Sequence, residues 1–181
     1  MRDTFALAMR LMIFALVAAL LLALVNAVTE ERIAENTRAK VTAARQEVIG
    51  DYAFEDAAAD ISGAAYITGV YRAMDGENCV GYVYELESRG YGGTVYICAG
   101  VDLEGHVTGV KVSNHVETKG LGTDAEKKFM AGFVGIEAAS GEALKLDAMS
   151  GATISSNAVK NAVDEAITHF ENNYTGGEVE Q

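Results

Sequence analysis

Two short stretches hold residue types whose spacing could do chemistry. The first, Asp147-Ala148-Met149-Ser150-Gly151-Ala152-Thr153-Ile154-Ser155-Ser156, sets hydroxyls at Ser150, Thr153, Ser155 and Ser156 and runs straight into an apolar-periodic segment. Small residues in the approach let a ligand come close to the backbone. A helix beginning there would offer unpaired N–H groups and the positive end of its dipole, which favour an anion such as a phosphate. The plainer reading is an ordinary N-cap, with Thr153 or Ser155 closing the helix. The second stretch is Ser113-Asn114-His115-Val116-Glu117-Thr118-Lys119-Gly120-Leu121-Gly122-Thr123. His115 and Glu117 are two apart, so an extended chain turns both to one face. Taken alone, His115 reads as a surface or cap residue, and Gly120 and Gly122 as loop geometry. Neither Gly90-x-Gly92-Gly93 nor Gly120-x-Gly122 completes G-x-G-x-x-G, so a dinucleotide site is not supported.

The elements that must hold these stretches follow from period and punctuation. From Ala64 the pattern is β: Ala64–Ala73, Val80–Leu86, Thr94–Val101 and His106–Val112 are rich in Val, Ile and Tyr and are joined by short loops. Such spacing predicts an antiparallel meander. The segment 87–93 reads as a loop, placing the hairpin centre near Gly90 and Cys98 opposite Tyr82. Asp124–Phe133 reads as a short helix and Ala143–Asp147 as a short extended piece. Val159, Val163, Ala166, Ile167 and Phe170 line one face of a last helix over Ile154–Phe170. The fold class expected is α+β, a twisted antiparallel sheet with flanking helices.

The chain has 181 residues, 50% of them apolar and 22% charged, enough for one core plus an appendage. Lys and Arg number 14 against 26 Asp and Glu, a formal charge of −12. That field disfavours a nucleic-acid partner. Two cysteines build no disulfide framework, and three scattered histidines make no metal cluster. Proline and tryptophan are absent, so the 19 glycines carry the turns and any cofactor stacking falls to Tyr, Phe or aliphatic groups.

Leu11 to Val28 is apolar apart from Asn26, near the roughly 20 residues that cross a bilayer. Arg2 and Arg10 precede it, and Glu30 and Glu31 follow. The positive flank predicts a cytoplasmic N-terminus and an extracytoplasmic C-terminal part, anchored in the cell inner (plasma) membrane by one span. A cleaved signal peptide is the competing reading, but the run exceeds the roughly 7–15 residues of an h-region. The expected organisation is a cytoplasmic N-terminus at 1–10, a transmembrane helix at 11–28, a stalk helix at 29–50, a folded domain at 51–171 and a flexible acidic tail at 172–181. A packed surface helix competes with the stalk over 29–50.

The run from Asp147 to Ser156 resembles the acceptor motif of the covalent FMN-binding domain family, and His115 to Gly122 resembles that family's second flavin-contacting loop. Gly90-Tyr91-Gly92-Gly93 and the strand into Gly109-Val110-Lys111-Val112 also match. Together the likeness covers about Gly90 to Val163. With the anchor in place, length and layout are most similar to the RnfG subunits of Rnf ion-translocating electron-transport complexes. A related subunit of the sodium-pumping NADH:quinone reductase is similar but usually longer. One departure is Lys119, where the family commonly has proline.

The resemblance implies FMN joined by phosphoester to Thr153, placed there by a flavin transferase acting during maturation. It implies Ser150, Gly151, Ala152 and Ser155 around the phosphate, and His115, Glu117, Thr118, Leu121 and Gly122 toward the flavin, with Leu121 as the apolar wall. It implies an electron-carrying subunit rather than an enzyme on its own. Its partners would be the other membrane subunits of a complex coupling ferredoxin:NAD electron transfer to Na+ or H+ translocation. Two alternatives remain: an anchored FMN domain of another electron-transfer chain, and a non-redox module binding a partner through its sheet edge.

Overall fold

The computed structural model describes residues 2–115, 124–137 and 141–174. It divides into two units, Met1–Lys40 and Val41–Gln181. The first is helical, part of α1 (Arg2–Ile49). Its window Met9–Asn26 is long and apolar enough to cross a membrane, and none of it is buried in the protein, which fits a single-pass anchor.

The second unit holds β1 (Ala53–Asp56), β2 (Ile67–Asp75), β3 (Asn78–Arg89), β4 (Thr94–Asp102) and β5 (Val107–His115), followed by α2 (Asp124–Ala131), a 3-10 turn (Ala143–Lys145) and α3 (Thr153–Tyr174). The strands lie side by side in chain order, each antiparallel to the next. This is the α+β meander that the sequence predicts. Tyr82, Tyr84 and Leu86 alternate along β3 toward α3, where Val159, Ala162, Val163, Ala166, Ile167 and Phe170 present a fully buried stripe.

Val83 and Cys98 point to the opposite face and pack with Ala44 and Val48 from the last turns of α1. The helix end can approach closely there because Gly100 and Gly109 carry no side chain beneath it. A Cβ on Gly100 would lie 2.7 Å from the Val48 carbonyl oxygen, and one on Gly109 would lie 2.8 Å from it. The Thr108 hydroxyl donates to that oxygen at 2.6 Å. Lys111–Glu47 at 2.7 Å and Arg45–Glu85 at 2.8 Å hold the flanks, with the Arg45 guanidinium 3.5 Å over the Tyr71 ring.

Four details depart from the sequence reading. β1 has only four residues with little apolar alternation, and it forms by pairing with Tyr71–Met74 of β2. The β3–β4 turn is confined to 90–93, because Glu87, Ser88 and Arg89 are strand. Cys98 therefore faces Glu85 rather than Tyr82. Cys79 and Cys98 are free thiols packed on opposite faces of the sheet. Ala143–Lys145 is a helical turn, not extended; Lys160 reaches over and donates to the Leu146 carbonyl at 3.0 Å. Finally, α3 continues past Phe170 because Tyr174 stacks on Tyr82 with ring centroids 4.1 Å apart.

Candidate functional site

The hydroxyl-rich run forms the entry to α3. Met149 to Ala152 is a turn closed by the Ala152 N–H on the Met149 carbonyl at 3.1 Å. Gly151 sits at φ +79, so the third position of the turn requires glycine; a Cβ there would meet nothing within 4 Å. The reason for glycine is backbone conformation, and the space above it is open. The first helical bond runs from the Ser156 N–H to the Ala152 carbonyl at 2.9 Å. Ala152 is therefore the residue at the N-cap, and it has no side-chain oxygen to offer.

Thr153 is thus not the cap. It is the first helical residue, and its side chain is exposed, as are Ser150 and Ile154. Among the described residues, the N–H groups of Thr153 and Ile154 have no hydrogen-bond partner. Together they make an exposed nucleophile-type hydroxyl beside free donors at the positive end of a 22-residue helix.

The other two hydroxyls are committed inward. Ser156 is fully buried, and its Oγ accepts the Met149 N–H at 3.0 Å, fastening the turn to the helix it precedes. Ser155 is 4% exposed, and its Oγ accepts the Tyr91 N–H at 3.3 Å. That bond sets the tip of the β3–β4 hairpin against the first turn of α3. The tip is closed by the Gly90 N–H on the Gly93 carbonyl at 2.8 Å.

His115 ends β5 and pairs with Val95, next to the start of β4. The end of β5, the hairpin tip and the start of α3 therefore gather at one end of the sheet. Glu117, Thr118, Leu121 and Gly122 lie outside the described residues. Two residues carry weight that the sequence alone did not assign. Ser156 holds the turn, and Tyr91 joins the hairpin to the helix. The signals for Tyr91 were its place between glycines and the likeness of 90–93 to the FMN-binding family.

A hollow of about 470 Å³ lies elsewhere, along β5 between α2 and the end of α1, and contains none of the residues of the run. Thr153 is exposed among the described residues.

Residues 3–48 match the RnfG N-terminal region, and residues 90–168 match the FMN-binding domain. The chain is 30% identical over 193 residues to the G subunit of the Na(+)-translocating ferredoxin:NAD(+) oxidoreductase complex of Acetobacterium woodii, covering 94% of this chain and 93% of that protein. The chain belongs to the RnfG family. It is also 36% identical over 115 residues to the G subunit of the proton-translocating ferredoxin:NAD(+) oxidoreductase complex of Clostridium ljungdahlii, covering 59% of this chain and 62% of that one. With the G subunit of the ion-translocating oxidoreductase complex of Shewanella amazonensis the figures are 31% over 126 residues, 62% and 57%. The matched part is thus under two thirds of the length of these two RnfG relatives and nearly the whole of the first. The entry to α3 lies inside the FMN-binding match, and the membrane-type helix lies inside the RnfG N-terminal match.

Proposed function

We propose that the chain is a membrane-anchored flavoprotein electron carrier, with FMN linked through its phosphate to Thr153 Oγ. It serves as one member of an ion-translocating ferredoxin:NAD oxidoreductase complex. The observation that carries this reading is the exposed Thr153 at the first position of α3, beside the free N–H groups of Thr153 and Ile154, within a region matching the FMN-binding domain.

The donor set fits a phosphodiester. Such a linkage keeps one negative charge, which the two N–H groups and the helix dipole favour by about 0.3–1 kcal/mol at an exposed site. Gly151 holds the approach in a turn whose outer side is open, so a bulky phosphoryl donor can reach the hydroxyl. Ser150 is exposed next to that space and supplies a further hydroxyl. Ser155 and Ser156, both buried, hold the helix start still. Bound FMN would supply one- and two-electron chemistry that no side chain here offers.

Attachment requires a flavin transferase as a maturation partner, and the other membrane subunits of the complex are its redox partners. The helix at Met9–Asn26 supports a single-pass anchor, and the arginines at 2 and 10 favour an extracytoplasmic folded domain by the positive-inside rule.

Co-expression of the full chain with a flavin transferase tests the linkage. Intact mass should rise by one FMN less one water, with the adduct on the peptide containing Thr153. Thr153→Val should lose the adduct and the in-gel flavin fluorescence, and Thr153→Ser should keep both. An adduct that persists in Thr153→Val refutes the site.

A further inference from the structure

Tyr91 is 82% exposed, more than any large apolar residue on the membrane-type segment, where Phe14 reaches 75%. It stands at the hairpin tip among Gly90, Gly92 and Gly93, so its own turn gives the ring no side chain to lie on. Among the described residues its ring makes no aromatic contact. Yet the backbone beneath it is held. Its N–H donates to Ser155, which is buried and lies two residues past Thr153. Ile154, the second residue of α3, is 57% exposed. A fixed backbone under an uncovered aromatic ring is the arrangement of a preorganised contact: the position is set before the ring's partner arrives.

We propose that the Tyr91 ring packs against the isoalloxazine of FMN carried on Thr153. This rests on the attachment proposed above and adds a residue that positions the ring system. The tether dictates the geometry. A group esterified to Thr153 can sweep only the surface within one ribityl chain of the helix start. Among the described residues, Tyr91, bonded through its N–H to Ser155, and Ile154 are exposed apolar side chains of the helix start and the hairpin tip joined to it. An offset-stacked or edge-on aromatic pair adds to simple burial, and the flat phenol ring suits the face of a tricyclic ring.

The test uses the full chain in detergent, flavinylated by co-expression, as wild type, Tyr91→Phe, Tyr91→Ala and Tyr96→Phe. Tyr96 is 39% exposed on the adjacent strand and serves as the control phenol. Mass spectrometry first sets the FMN load of each protein. A phenol against a photoexcited flavin gives up an electron and takes it back, which quenches emission with no net reaction. At equal load, Tyr91→Phe should therefore be several-fold brighter and longer-lived than wild type. Tyr91→Ala should be equally bright and should also change the visible circular dichroism of the flavin, because the ring is no longer held. Tyr96→Phe should match wild type. Unchanged emission in Tyr91→Phe, with FMN present on Thr153, overturns the contact while leaving the linkage intact. That is also the result expected if Tyr91 docks a partner protein instead. A wild-type chain without FMN on Thr153 overturns the linkage, and the contact with it.

Discussion

The Thr108 hydroxyl on β5 donates to the carbonyl oxygen of Val48 in the last turn of α1 at 2.6 Å, across sixty positions of sequence. That carbonyl is among the last of the helix, which have no intrahelical partner, so the sheet completes what the helix leaves open. Gly100 and Gly109 make the approach possible.

Gly109→Ala should therefore dislodge the end of α1. Its Cβ would meet the Val48 backbone at 2.8–2.9 Å, and neither strand nor helix end can yield cheaply. The expected cost is about 1–3 kcal/mol, an overpacking penalty. Thr108→Val should cost about 1 kcal/mol through the lost hydrogen bond alone. Thermal melts of the full chain should rank Gly109→Ala below Thr108→Val, and the reverse order would contradict the close approach.

Glu165 on α3 accepts three successive backbone N–H groups, from Ala65 at 2.7 Å, Tyr66 at 2.6 Å and Ile67 at 3.2 Å, and so pins the start of β2. Glu165→Gln keeps the shape, but its amide has one acceptor oxygen where the carboxylate has two. A loss of about 2–3 kcal/mol is expected, together with faster amide exchange at 65–67. Unchanged exchange there would show that the three donors find other partners.

The two exposed hydroxyls of the α3 entry should differ from the two buried ones. Ser155→Ala removes the acceptor for the Tyr91 N–H, costs about 1–2 kcal/mol, and should speed amide exchange at Tyr91. Ser150→Ala should stay within about 0.5 kcal/mol of wild type, as surface changes do. Urea denaturation read by tyrosine fluorescence separates the two.

Tyrosines around α3 should make the protein sensitive to alkali. Burial, then the neighbouring Cys79 and Tyr174, push the Tyr82 hydroxyl from the usual 10.0 up to about 12. Burial raises Tyr84 and Tyr174 as well. The folded state keeps protons that the unfolded chain releases above about pH 10, so stability is intact below that pH and falls as pH rises from about 10 toward 12. Phenolate absorbance of these groups should appear together with unfolding, not before it. Tyr84→Phe should flatten the decline by up to about 1.4 kcal/mol per pH unit.

Much of this molecule was legible from its sequence. The long apolar run, the alternation of β-type segments and the buried stripe from Val159 to Phe170 are local periodicities, and local periods report burial directly. The acceptor run was legible as well, since small residues, hydroxyls and a helix start follow one another along the chain. Its inner division was not. Thr153 could have been a cap; it is a free side chain at the first helical position, and Ser155 and Ser156 are the ones turned inward.

That division depends on contacts between distant residues. Ser155 meets Tyr91 sixty-four positions away, and Val48 meets Gly109 across the sheet. The β3–β4 register turned on whether Glu87 to Arg89 belonged to strand or loop, which pairing across the hairpin decided. Sequence spacing carries period and turn chemistry because these act over a few residues. Register, the landing of α1 and the choice of which hydroxyl faces water depend on which surfaces are buried together, and only the folded chain sets that.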